Sequence, residues 1–333
     1  MLKTALLASV AALLAAGPAA AQFQDRTIRV SNGVQEEHPA SAGVKAMATC
    51  AAEKSGGAMK LQAFWGGTLG GDLQATQSVR SGTLEMVITS SSPLVGILPA
   101  LGVLDLPFLF NDEAEADAVL DGEFGDYLSS LMPAAGVVNL AYWENGFRHL
   151  TNSRKPVAKL EDLSGLKIRV MQNNIFLDTF KTIGANAVPM PGPEVFTALE
   201  TRAIDGHENP YVNIETSRMY EVQEYITETK HAYTPFLVLY SKQLFDQLSA
   251  EEQAALTECA KVGRDTQRSV SRKQSAASVE KLKEEGMELT VLDPSEQARM
   301  REMVRPVYER HAAEIGQDVI DRAQAAIAQK RNP

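Results

Sequence analysis

Two arginines and an asparagine stand where a small carboxylate could be held. Arg169 lies inside Leu163–Val170 (LSGLKIRV), a short strand pattern that places one cation between apolar neighbours. Arg148 ends Trp143–Arg148 (WENGFR), and Asn209 lies in Asp205–Pro210 (DGHENP). A guanidinium is planar, always charged, and offers a fork of donors that matches the two oxygens of a carboxylate. The competing reading is that Arg169 pairs with an acidic side chain. Three such elements in this order, each at the edge of a strand-like run, favour anion binding.

Patterns that would mark catalysis are missing. The chain has no G-x-S-x-G elbow, no Walker-A loop and no H-E-x-x-H helix. Gly66–Gly71 (GGTLGG) is rich in glycine, but no Lys-Ser/Thr pair follows it, so it reads as a turn and not as a phosphate cradle. His38, His149, His207, His231 and His311 are far apart, with no ligand spacing for a metal. No metal or cofactor is expected, and the chain reads as a binding protein.

The N-terminus carries its own signal. Met1-Leu2-Lys3 is positive, Thr4–Ala16 is apolar, and Ala19-Ala20-Ala21 forms a small-residue cleavage site before Gln22. Residues 1–21 therefore read as a secretory signal peptide, too short and wrongly flanked for a lasting membrane anchor. The remaining residues suffice for two domains of ordinary size. The formal net charge is −10, and loss of Lys3 makes it −11. An acidic exported protein is a poor partner for nucleic acid or an anionic membrane surface. Cys50 and Cys259 allow at most one internal bridge, and their spacing does not decide between a disulfide and two buried thiols.

The elements that must position the arginines alternate between strand and helix. Thr27–Val30 reads as a strand, Ala40–Lys54 as a helix, Met59–Phe64 as a strand. Asp72 is expected to cap a helix over Leu73–Ser81, and Leu84–Ile88 to form a third strand. After Trp143 the alternation resumes: strand Gly165–Val170, helix Asn173–Thr182, strand Ala187–Met190, helix Glu194–Arg202. Thr234–Tyr240 is an apolar strand, and a long helix follows from Ser249 to about Glu285, interrupted near Gly263. A strand over Glu288–Leu292 and one final helix from Pro294 to about Ala328 close the chain. This order predicts an α/β fold of mainly parallel sheets covered on both faces, with ligands at the carboxyl ends of the strands.

Together these segments resemble a known family. The chain is similar to the solute-binding proteins of tripartite ATP-independent periplasmic (TRAP) transporters, of the dicarboxylate-binding type. The resemblance rests on Gly66–Asp72 (GGTLGGD), Gly82–Met86 (GTLEM), WENGFR, Leu166–Val170 (LKIRV), Gly184–Met190 (GANAVPM) and DGHENP. It implies a periplasmic binding protein of two α/β domains around a cleft, with a long helix spanning both. The first domain would hold residues 22–145 and 235–276, the second 146–234 and 277–333. The resemblance further implies a monomer that takes a small organic acid, closes over it and presents it to a membrane permease.

In that family's pattern Arg169 matches the arginine of the carboxylate salt bridge. Arg148 matches a second arginine, and Asn209 an asparagine of the site. By position Asn32, Asp72 and Ser90 or Ser91 would line the opposite wall. Relatives often carry glutamine where this chain has His207, and an aromatic residue where it has Gly192. The polar run Gln172-Asn173-Asn174 and Ser90–Ser92 could serve hydroxyl groups, which favours a sugar acid such as a hexuronate over a four-carbon dicarboxylate. Three other readings stay open: a binding protein of an ATP-driven transporter, a periplasmic enzyme acting on an organic acid, and a binding protein that serves a sensor kinase and not a permease.

Overall fold

A computed structural model describes residues 23–332, so the expected signal peptide lies outside the described residues. In chain order the elements are β1 (Arg26–Asn32), α1 (Ala40–Lys54), β2 (Met59–Phe64), α2 (Asp72–Arg80), β3 (Met86–Ser90), α3 (Glu113–Leu120), α4 (Glu123–Leu131) and β4 (Val137–Phe147). There follow β5 (His149–Asn152), β6 (Lys167–Val170), α5 (Asn174–Thr182), β7 (Asn186–Pro189), α6 (Val195–Glu200), β8 (Gly206–Asn209) and α7 (Tyr211–Thr216). The chain ends with β9 (Tyr225–Glu228), β10 (Tyr233–Ser241), α8 (Lys242–Phe245), α9 (Ala250–Glu284), β11 (Glu288–Val291), α10 (Pro294–Ile315) and α11 (Gln317–Arg331).

Two sheets result, with orders β2-β1-β3-β10-β4 and β11-β9-β5-β8-β6-β7. The expectation of mainly parallel sheets needs correction, because both are mixed. Strand β10 runs antiparallel to β3 and β4, and β5 runs antiparallel to β8 and β9. The cause is the way the chain changes sheets. β4 and β5 are separated only by Arg148, so one extended run serves both sheets. The return from β9 to β10 lies beside it, with the Arg148 amide donating to the Ala232 carbonyl at 2.9 Å. Two neighbouring crossings in opposite directions insert antiparallel partners into sheets that βαβ units would otherwise make parallel.

Helix α9 is one uninterrupted element of 35 residues, not a helix broken at Gly263. The Ser249 hydroxyl accepts from the Glu252 amide and the Glu252 carboxylate from the Ser249 amide, a reciprocal pair that satisfies two donors at the helix start. Gly263 is there for close approach. A Cβ on it would lie 2.5 Å from the Trp143 ring and 2.8 Å from the Gly43 carbonyl, so α1, α9 and β4 meet there. The Trp143 indole donates to the Ala260 carbonyl at 3.0 Å, and Gln267 pairs with both backbone groups of Glu144 at 2.9 and 2.7 Å. The first half of α9 is thereby fixed to the first sheet. Its second half reaches α7, where Ser278 donates to Glu215.

The single C-terminal helix expected from the sequence is two helices, divided at Gly316 with φ of +98°. α10 packs between Pro99–Asp105 and α5, while α11 rests on α3 and α4. One apolar core runs from α2, α3 and α4 through β4 and β10 to β6, α5, α10 and α11. A second lies under α1 and the start of α9, and a third under α6, α7 and the end of α9.

Cys50 on α1 and Cys259 on α9 form a disulfide with Cα atoms 5.4 Å apart. The alternative of two buried thiols is set aside. A thiol count on denatured, unreduced protein should give none, and the double variant Cys50→Ala/Cys259→Ala should lose about 2–5 kcal/mol on urea unfolding.

Candidate ligand-binding site

A cavity of about 700 Å³, counting its open mouth, lies between the two sheets at the carboxyl ends of their strands. The first sheet and its loops contribute Gly33, Val34, Asp72, Ser90 and Phe236, and the second contributes Arg169, Met171, Gln172 and Asn209. Six of the residues expected from the sequence therefore meet in one wall: Arg148, Arg169, Asn209, Asp72, Ser90 and Gln172. Asn32, Ser91 and His207 are not among the lining residues. All three are almost fully buried behind the wall, where the Asn32 side-chain oxygen (Oδ1) accepts from the Val34 amide at 3.0 Å.

The two arginines differ in kind. Arg148, at the crossing from β4 to β5, gives Nε and Nη2 to the Glu208 carboxylate and Nη2 also to the Glu208 carbonyl. Both side chains are buried, and the His231 ring adds a third contact to Glu208 at 3.2 Å. Burial alone would raise the Glu208 carboxyl, but the Arg148 charge and these hydrogen bonds outweigh it and hold it below the usual carboxylate range. Arg169, at the end of β6, has no acidic side chain in its hydrogen bonds. Its Nε and Nη2 both donate to the Met190 carbonyl, at 2.9 and 2.6 Å. Burial lowers this guanidinium to about 10, so it stays charged at neutral pH.

A chain of amides joins the two halves of the wall. The His38 Nδ1 accepts from the Ala40 amide, which leaves its Nε2–H to donate to the Asn213 side-chain oxygen at 2.8 Å. Asn213 in turn donates to Asn145 at 3.0 Å and to Asn209 at 3.2 Å. Asn145 donates to Ser90 and Thr234, and Asn209 accepts from Arg148. Burial pushes His38 down to about 4 and His207 to about 3, so both rings are neutral near pH 7. Asn145 and Asn213 escaped the sequence reading as site residues. Asn145 lay within WENGFR, and Asn213 follows Asn209 by four residues, but nothing in the spacing shows amides bonding across two sheets.

Two local expectations change. Asp72 does not cap α2, whose N-cap is Gly71; Asp72 is the first helical residue and accepts from the Ser90 amide at 3.3 Å. Burial raises its carboxyl, against the Ser90 bond and the Arg169 charge. Asn173 serves no cavity hydroxyl. It caps α5 through the Ile175 and Phe176 amides and donates to Asp105 at 2.7 Å. Pro191-Gly192-Pro193, at the edge of the cavity, packs on the glycine turn. A Cβ at Gly67, where φ is +70°, would lie 2.6 Å from Pro193 Cγ, so the seat depends on glycine.

The wall thus offers one cation without an acidic partner, one carboxylate, and neutral amide and hydroxyl groups. Among the described residues no set of three or more His, Cys, Asp or Glu could hold a metal, and no helix is long and apolar enough to cross a membrane. Ser90 is engaged by Asn145, not by a histidine base. This is an arrangement for holding an anion.

Comparison with known proteins shows which ones the chain is similar to. Residues 30–315 match the family described as bacterial extracellular solute-binding protein, family 7. The chain is 42% identical over 242 residues to the 2,3-diketo-L-gulonate-binding periplasmic protein YiaO of Escherichia coli, covering 72% of this chain and 74% of that protein. It is similar to the sugar acid binding protein DctPAm of Advenella mimigardefordensis, solved with galactonate: 42% identity, TM-score 0.90, covering 92% of this chain and 99% of the other. A TRAP solute-binding protein of Sulfurospirillum deleyianum, solved with succinate, is more distant at 28% identity, with TM-score 0.86 over 91% and 99% of the two chains.

The buried pair makes a prediction. Glu208→Gln leaves the Arg148 charge without its partner and should cost about 3–5 kcal/mol on unfolding. In the native protein the Glu208 carboxyl lies below its unfolded value. The stability it contributes is therefore complete above the ordinary glutamate pKa of about 4.3 and lost as pH falls through the lower folded value. Urea unfolding across acidic pH should show a shallower decline for Glu208→Gln than for the native chain.

Proposed function

The chain belongs to the bacterial extracellular solute-binding protein family 7, and on that footing we propose that it captures a small organic acid in the periplasm for a TRAP permease. The observation that supports this best is the state of Arg169. Its guanidinium lines the cavity, is 4% exposed, and spends its hydrogen bonds on a carbonyl and not on a carboxylate. A buried cation that the fold leaves without an anionic partner gains from a ligand carboxylate. Arg148, Asn209, Asp72, Ser90 and Gln172 complete the wall against which that ligand would rest. Behind it, Asn32, Ser91 and His207 would act by supporting these residues.

Capture would proceed by closure. One half would comprise residues 22–145 and 235–276 and the other 146–234 and 277–333, joined at the crossings of β4 to β5 and β9 to β10, by α9, and by α11 where it rests on α3 and α4. The ligand favours the closed state by its greater affinity for closed over open, and the permease would recognise the closed form of a single chain. Relatives with 2,3-diketogulonate, galactonate and succinate in their names or structures support an acid ligand for this chain. The same relatives are solute-binding proteins, which supports binding without chemistry.

Calorimetric titration with galactonate, 2,3-diketogulonate and succinate tests the proposal, with product analysis of each mixture. Binding of at least one acid and no product is expected. Arg169→Ala should keep its circular dichroism and lose about a hundred-fold or more in affinity, since a pair in a closed site is worth about 3–5 kcal/mol. Arg169→Lys should also bind more weakly, because a point charge does not reproduce the fork. Near-native affinity in Arg169→Ala would overturn the assignment.

A further inference from the structure

The charges lining the cavity are Arg148, Arg169 and Asp72, and they are not equally free to meet a ligand. Arg148 is occupied by Glu208, which is fully buried and also bonded to His231. A ligand could reach Arg148 only through the donors that Glu208 leaves, and that charge is already balanced inside the protein. Arg169 is the cation of the wall whose charge no hydrogen-bonded carboxylate balances. Asp72 comes from the opposite half of the wall. One of its oxygens accepts from the Ser90 amide, and the other lies over Gly33, where a Cβ would come within 2.9 Å of it. The Ser90 and Thr89 side chains also favour the charged form of Asp72. The other polar groups of the wall, on Ser90, Asn145, Gln172, Asn209 and Asn213, are neutral.

From this we infer that the cavity selects a monocarboxylate bearing hydroxyl groups, and that Asp72 turns away an acid with a second carboxylate at its far end. The inference rests on the organic-acid reading above and specifies its ligand class. One carboxylate on Arg169 uses the available positive charge. A second, directed to the opposite wall, would meet another carboxylate and neutral amides. Two like charges brought together in a partly buried site repel, and Arg169, the charge that favours the Asp72 carboxylate, is then taken by the first carboxylate. A hydroxyl in the same place donates to Asp72 instead, a charge-assisted hydrogen bond. The carboxylate of Asp72 thus rewards one terminal group and penalises the other.

Matched pairs of acids test this: galactonate with galactarate, and gluconate with glucarate, each pair differing only in a terminal hydroxymethyl or carboxylate. Calorimetry on the intact mature protein near neutral pH should show the monoacid of any binding pair held at least ~10-fold more tightly. In Asp72→Asn, which keeps the shape and removes the charge, that ratio should shrink at least ~5-fold. Asp72→Ser, a residue suited to a helix start, should shrink it in the same direction and guards against a fold defect in the first variant. Equal or tighter binding of the diacid by the native protein overturns the inference while leaving the organic-acid reading intact. So does a ratio unchanged in both folded variants. If the folded native protein binds none of these acids, nor 2,3-diketogulonate or succinate, both readings fall together.

Discussion

The structure turns on one buried ion pair at the place where the chain passes from sheet to sheet. Arg148 is the single residue between β4 and β5, and Glu208 lies on β8, the neighbour of β5. Burying both charges is costly in itself, and their attraction offsets that cost only where the remaining hydrogen-bonding groups are satisfied. Here they are: Glu208 meets Arg148 through both oxygens and His231 through one, and Arg148 also reaches the Glu208 carbonyl and Asn209. His231 stands on the second crossing, just before β10. The pair therefore fixes both crossings and the strand that ends at the cavity, and the geometry of the wall follows.

That constraint also explains why two arginines of the same site have different chemistry. Arg148 carries a charge spent on holding the fold, with Phe176 against its guanidinium plane. Arg169 is anchored by a carbonyl, which orients the fork without neutralising it. Residue type and spacing are the same in kind for both, and only the third dimension separates the cation that builds the cavity from the one that remains for an anion.

The same limit decided what could be read from the chain. Helix α1 and strand β2 were legible to the residue, since their boundaries are written in local pattern and in Gly56-Gly57. The positions of Arg169 and Ser90 near strand ends and of Asp72 at a helix start were also legible, and they converge. Gly263 was misread as a break because glycine weakens an isolated helix, while its use here is contact with Trp143. The antiparallel partners β5 and β10 were missed because pairing direction depends on which sheet a strand joins. Asn173 looked like a hydroxyl ligand, yet Asp105 and the start of α5 claim every polar atom of its side chain.

One guanidinium stands between the cavity and its cover. The carbonyl that Arg169 holds belongs to Met190, and Pro191-Gly192-Pro193 leads directly from it across the mouth to the glycine turn of the other half. Pro191 and Pro193 fix their own backbone torsions on either side of Gly192. A carboxylate resting on Arg169, in the role proposed for it, would share that side chain with the root of the cover. Any shift of the guanidinium between ligand-free and ligand-bound states would then move the cover with it. Closing force need not be spread over the whole interface. In the closure proposed above it could enter through one side chain, the one that meets both the cavity and the root of the cover.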